Sequence, residues 1–245
     1  MVQRPAPMLE TLEHVPQTAL AVCAHPDDVE ICAGATLAKW IDNGCLVVLV
    51  VCSDGAAGSA VDNVSRSHVA AARRREQESA AELLGVRHLE MLGLPDGGLE
   101  DTPDLRGEIV RAIRQYQPET ILTHDPHTRD RFVHRDHRIV GMAVQDAIYP
   151  YARDPLHFPQ HSRDGLKPHK VKELLMWESD APNVVVDVTG SVSKQAACLS
   201  QHQSQLAGLI GDLSALEWLS ERSSAAAANR AFANGETYRR IAAPE

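Results

Sequence analysis

Aromatic side chains are scarce in this chain, with three Trp, four Tyr and three Phe among 245 residues. A core of normal size must therefore be filled mainly by Ala, Val, Leu and Ile, within a hydrophobic fraction of 44% that is ordinary for a soluble domain. Positive charge is short as well. The 24 Lys and Arg against 33 Asp and Glu leave a net charge of −9, which argues against a general nucleic-acid binder, whose footprint would be a basic face. The clustered basic residues Arg73-Arg74-Arg75 share their helix with Glu76, Glu78 and Glu82, the pattern of a solvated face. Five cysteines form no CxxC pair and leave an odd one over, so a disulfide framework is not expected and a reducing compartment fits better. No apolar stretch approaches the roughly 20 residues needed to span a bilayer. The first residues reach Glu10 without the apolar segment of a signal peptide. Also missing are a GxGxxG turn for a dinucleotide and a GxSxG elbow for a serine hydrolase. These absences predict a cytoplasmic protein with neither nucleic acid nor membrane as partner.

What is present alternates. Residues 1–16 read as a loose leader, and 17–245 as one domain whose C-terminal portion, 149–245, holds a loop, strands and helices. Apolar runs at Thr18–Ala24, Leu46–Cys52, Val86–Leu92 and Thr120–Thr123 read as strands. Helices are expected between them, over about Val29–Asn43, Val69–Leu84 and Leu105–Tyr116, with Gly44 and Gly85 as stops, and then from His137 to about Ile148. Two further strands, Lys172–Trp177 and Val184–Val188, follow an irregular stretch over 149–170 whose length suggests a substrate loop or an interface. From Ser191 onward the chain reads as helix, with a mobile Ala-rich stretch at 224–228. The fold class is α/β: a Rossmann-like, doubly wound, mostly parallel sheet with helices on both faces and a small C-terminal strand and helix extension.

The chemistry concentrates in His25-Pro26-Asp27-Asp28, directly after the first buried strand and before a helix, where open α/β sheets place their sites. His25 and Asp28 are close enough in sequence to converge on one metal, leaving Asp27 as a spare carboxylate. The third ligand should be a distant His, and His134-Arg135-Asp136-His137 supplies candidates. An ion held this way lowers the pKa of water toward about 7, and a carboxylate just outside the ligand set can take the proton. Asp27 is the candidate base. His134 is placed to stabilise an oxyanion or to protonate a leaving amine if His137 is the ligand, with Asp136 holding its imidazole. A blander reading makes Asp27 or Asp28 a helix cap, a role that needs neither the His nor a second carboxylate. His124-Asp125-Pro126-His127 could also supply a ligand, although Pro126 and the charges after it mark a loop lying over the site. His157, His161 and His169 are read as surface-loop residues. Two His and one carboxylate suit zinc, but also iron or manganese.

At these residues the chain resembles the LmbE-like, or PIG-L, family of zinc-dependent de-N-acetylases. Ala24-His25-Pro26-Asp27-Asp28 resembles the family's opening motif, and Asp130–His137 its second, with Arg135 where a proline is usual. Leu94-Pro95-Asp96-Gly97, Val186-Asp187-Val188-Thr189 and His202-Gln203-Ser204-Gln205 are similar to further family segments and arrive in the same order. The resemblance implies His25, Asp28 and His137 as zinc ligands, Asp27 as general base and His134 as the acid or oxyanion partner. It further implies Asp96 and an arginine of the 73–75 run, Arg75 in the preferred register, as substrate contacts. The implied partner is a small N-acetylated amino sugar or sugar conjugate; the 149–170 stretch, read from the residues themselves, is the candidate contact of a homo-oligomer. One departure stands out: Ala56 and Ala57 lie between Gly55 and Gly58, where the family often has an acidic residue.

Overall fold

The computed structural model describes residues 9–59 and 63–244. Its framework is one eight-stranded sheet. Strand β2 (Thr18–Cys23) lies beside β3 (Leu46–Ser53), which lies beside the edge strand β4 (His88–Leu94). On its other side β2 pairs with β5 (Thr120–His124), and β5 with β6 (Glu173–Trp177), all in parallel. Beyond β6 the chain inserts an antiparallel strand, β8 (Gly235–Ala242), and then β7 (Val184–Asp187) and a short β1 (Glu10–Thr11). The order therefore reverses at the β2/β5 boundary, and the crevice at the carboxyl ends of those two strands is the topological switch point.

The strands explain how so few aromatics suffice. Successive side chains of β2 go to opposite faces: Ala19, Ala21 and Cys23 to one core, Leu20 and Val22 to the other. In β3, Val47, Leu49 and Val51 join the first core while Val48, Val50 and Cys52 join the second. Both faces are covered, so these strands read as unbroken apolar runs. Helices α4 (Pro103–Tyr116) and α5 (Arg135–Asp146) close one face; α2 (Gly34–Asp42), α7 (Val192–Leu199) and α9 (Ala215–Ala226) contribute to the other. Trp40, Trp177 and Tyr238 are the large rings buried on the α2 side, in the first of these cores. All five cysteines are free thiols, four of them buried.

Several expectations change. The leader is tied down from residue 9, since Glu10 and Thr11 pair with Val184 and Val185 and Leu12 is buried; residues 1–8 of that leader lie outside the described residues. The single helix expected over Val29–Asn43 is two, α1 (Asp28–Cys32) and α2, broken at Ala33. The break is filled from outside. Glu236 of β8 accepts the Ala35 and Thr36 amides at 3.2 and 2.8 Å, capping α2 in place of a local side chain. Strand β8 was expected as helix; its polar Glu236, Arg239 and Arg240 hide the alternation, and Arg240 is satisfied by Glu173 at 2.7 Å. The strand expected at Val86–Leu92 starts at His88 and ends at Leu94. The irregular stretch is built rather than loose. Arg114, 1% exposed, donates to the carbonyls of Tyr151, Ala152, Asp154, His157 and Phe158, and the stretch carries its own short helix α6 (Pro159–Arg163). His161, expected on the surface, is buried with its ring stacked 5.5 Å from Phe158. His157 and His169 are half-buried.

Candidate metal centre

The His25-Pro26-Asp27-Asp28 turn leaves β2 at the switch point. Asp27 there has φ 95° and ψ −25°, a left-handed backbone uncommon for a residue with a Cβ and usually found where surroundings enforce it. Asp27 occupies the position before α1 but makes no side-chain cap, which removes the capping role from its carboxylate. Its amide donates to Gln77 Oε1 at 3.0 Å, and its Oδ1 lies 3.1 Å from Arg73 Nη2. Both partners come from α3 (Arg66–Leu84). Burial raises the Asp27 pKa and Arg73 opposes it, leaving a value of about 7.

Three groups converge beside it. His25 Nδ1 is 3.2 Å from His137 Nε2 and 3.6 Å from Asp28 Oδ2, while His137 Nε2 is 3.3 Å from Asp28 Oδ1. Donor atoms about 2.0–2.1 Å from a tetrahedral ion lie about 3.3 Å from one another, and the pairwise spacings are of this size, with the two imidazoles on different oxygens of Asp28. The charges agree. Burial disfavours a positive His25, yet Asp28 and Asp96 overcome it and raise its pKa to about 10, so the cluster draws positive charge to this point. On the far edge of the ring, His25 Nε2 lies 3.1 Å from Asp96 Oδ1 and 3.5 Å from Asp136 Oδ2. A carboxylate on the second nitrogen is how metal-bound imidazoles are held in one tautomer.

The remaining candidates fall in different places. His134 caps α5, its Nδ1 accepting the Asp136 amide at 3.1 Å, and its exposed ring meets His25 edge-on at 4.6 Å. Burial, His25 and His137 all lower its pKa. The fully buried Asp136 carboxylate accepts the Gly97 amide at 2.8 Å and faces His25, so its link to His134 is a backbone N–H rather than the expected carboxylate. Asp96 is buried, accepts the Ala57 amide at 2.9 Å and meets His25, so it supports that imidazole. Arg75 is exposed; the arginine of the run that enters the site is Arg73. Arg73 donates to Pro26 O and, at 3.0 Å, to Gly55 O. A Cβ at Gly58 would lie 2.5 Å from Arg73 Nη1, which explains why the loop over this guanidinium holds a glycine there. The helical period was the available signal: Val69, Arg73, Gln77, Ala80 and Leu84 form the buried stripe of α3.

Glu30, Gln77 and Glu178 carry no motif of their own, and they meet the site beside His202 and His124. Gln77 donates to Glu30 Oε1 at 2.9 Å, and His202 Nε2 lies 3.4 Å from Glu30 Oε2 in a pair that is 0% exposed on both sides. Glu178 follows β6 with φ 58°, its Oε2 3.9 Å from His137 Nδ1. His124 ends β5 and is 1% exposed, not a covering loop; its ring stacks on His137 at 3.9 Å. Among the described residues, the compact donor sets that could hold an ion are His25, His134 and His137; Asp28, His124 and His137; and His25, Asp96 and Asp136. The anticipated His25, Asp28 and His137 draw two members from each of the first two.

Comparison with known proteins bears on this centre. Residues 20–148 match the family described as GlcNAc-PI de-N-acetylase, PIG-L. The chain belongs to this family. It is 32% identical over 186 residues to a diacetylchitobiose deacetylase from Thermococcus kodakarensis, covering 76% of this chain and 69% of the relative. It is also 32% identical over 163 residues to a mycothiol S-conjugate amidase of Streptomyces coelicolor, covering 58% and 54%. An N,N'-diacetylchitobiose deacetylase structure from Pyrococcus horikoshii superposes with a TM-score of 0.84 at 25% identity, over 92% of this chain and 84% of that one. The protein is accordingly a hydrolase of the deacetylase type, built on the α/β sheet described above. Among the described residues, no helix is long and apolar enough to cross a membrane.

Proposed function

We propose that this protein removes the N-acetyl group from a small N-acetylated amino sugar or sugar conjugate, using one divalent ion, zinc in the first instance, held by His25, Asp28 and His137. The observation that carries the reading is the pairwise approach of those three side chains at 3.2–3.6 Å, the two imidazoles meeting different oxygens of Asp28, with Asp27 next in sequence. When bound, the ion polarises the amide carbonyl and brings the pKa of a water toward about 7. Asp27 is the base: it adjoins a ligand in sequence, its carboxylate is nearly buried, and Arg73 and a left-handed backbone fix its direction. His134 meets the His25 ring edge-on and uses Nδ1 to cap α5, which leaves Nε2–H as its donor. That N–H stabilises the oxyanion as it forms, and the proton taken by Asp27 is the one available to the leaving amine. Asp96 and Asp136 keep the His25 ring oriented. Arg73 replaces Arg75 as the arginine of the site. The buried free thiols fit a cytoplasmic setting.

The test is metal content of the purified full chain, coupled to acetate release from a panel of N-acetylated amino sugars and their conjugates. About one zinc per chain with acetate from a panel member is the expected result. Stoichiometric zinc with cleavage only of other acyl amides would shift the substrate toward the amidase side of the family, as in the Streptomyces coelicolor relative. A chain that takes up no metal would end the mechanism.

A further inference from the structure

Asp28 and His137 have two histidines within reach: His124, which completes a compact donor set with them, and His25, whose Nδ1 meets the Asp28 oxygen that His137 does not, so distance by itself does not favour His25. Trp177 does. Its indole Nε1–H lies 2.9 Å from His124 Nδ1, and indole can only donate, so Nδ1 must present a lone pair. In a neutral imidazole the proton then sits on Nε2, which lies 3.2 Å from Asp28 Oδ2 and so meets a carboxylate. The Ala24 amide also points at Nε2, from 3.2 Å. The Nε2–H form sets that amide against an N–H at 3.2 Å; the opposite tautomer satisfies the amide alone, while setting two N–H groups face to face at 2.9 Å and a lone pair against a carboxylate. Two hydrogen bonds, one charge-assisted, outweigh one. A nitrogen that carries a proton cannot ligate.

We propose that Trp177 locks His124 in the Nε2–H tautomer, keeping it out of the coordination sphere and making it a positioning residue that donates to Asp28. The inference rests on the proposed metal centre, to which it adds the device that selects one of two overlapping ligand sets. It also accounts for a buried His124 stacked on a ligand without joining it. An open coordination position is thereby preserved, as a hydrolytic ion requires.

The tautomer is directly readable by two-bond nitrogen–proton NMR correlations of the zinc-loaded full chain. The expected spectrum shows His124 with a bare, hydrogen-bonded Nδ1 and a protonated Nε2. A protonated His124 Nδ1 overturns the proposal. Metal affinity by chelator competition supplies the second arm. His124→Gln can accept from Trp177 and donate to Asp28, so its zinc affinity should stay within about threefold of wild type, whereas His124→Leu should lose about 10–100-fold, the range for outer-shell partners. If His124→Gln loses as much affinity as His137→Gln, His124 is a ligand and the proposal fails. Should the chain take up no zinc, the proposed function falls while the His124 tautomer is still read and decides this inference on its own.

Discussion

At the scale of single residues, the proposed centre divides binding and proton transfer between two adjacent aspartates in different surroundings. Asp28 is tied to His124 and His137, which overcome the effect of burial and hold its carboxyl well below the usual carboxylate range. Asp27 faces Arg73 and sits near 7. Replacement Asp27→Asn is therefore expected to keep zinc content unchanged and lower kcat by about 10²–10⁴, the usual contribution of a positioned base. Metal analysis beside steady-state kinetics checks both halves, and loss of zinc in the variant would move Asp27 into the ligand set. Arg73 makes a second test. Its fork spans Pro26 O, Gly55 O and Asp27, which a lysine cannot reproduce, so Arg73→Lys should cut kcat/KM at least about tenfold. Exposed Arg75→Ala should leave kcat/KM within about twofold, as surface changes do. The reverse ranking would restore the register expected from the sequence.

At the scale of elements, the site is legible where one strand and its following turn carry it, and illegible where distant elements meet. His25, Asp27 and Asp28 share one turn, and His134, Asp136 and His137 open one helix, so local pattern places them. Arg73, Gln77 and Glu178 enter from α3 and from beyond β6, and only the tertiary fold brings them in. The C-terminal sheet is the other failure, because β8 draws its stability from Glu236 and Arg240 partners that no local window contains. The buried Glu30–His202 pair shows how such contacts tie α1 to α8 (Gln203–Ile210), whose first turn follows His202. Burial alone would lower the His202 pKa, but the Glu30 carboxylate beside it raises the value above the ordinary one. A raised histidine contributes stability that is complete below its unfolded pKa of about 6.5 and fades as pH climbs through the folded value. Denaturant midpoints should thus fall as pH rises from about 6.5, and His202→Gln should flatten that dependence. An unchanged slope in the variant would mean the pair is not the source.

For the whole molecule, the proposed centre couples an ion to the sheet that would present its ligands. His25 and Asp28 follow β2, while His137 comes from α5. An ion bound to all three joins the two sides of the switch point, and nothing in an unfolded chain holds those groups together. Binding to the folded state alone stabilises it by about 2.7 kcal/mol when free ion is at 100 times its Kd. In a chain of this size each kcal/mol is worth about 2–4 °C of Tm. Stripping the metal with a chelator should therefore lower Tm by about 5–10 °C and abolish acetate release, with both restored by one equivalent of zinc. The same treatment of His137→Gln should move Tm little, since the bridge between β2 and α5 is already gone. A chelator-insensitive Tm in the wild type, together with undiminished turnover, would show that these donors are held by the fold for their own hydrogen bonds and not for an ion.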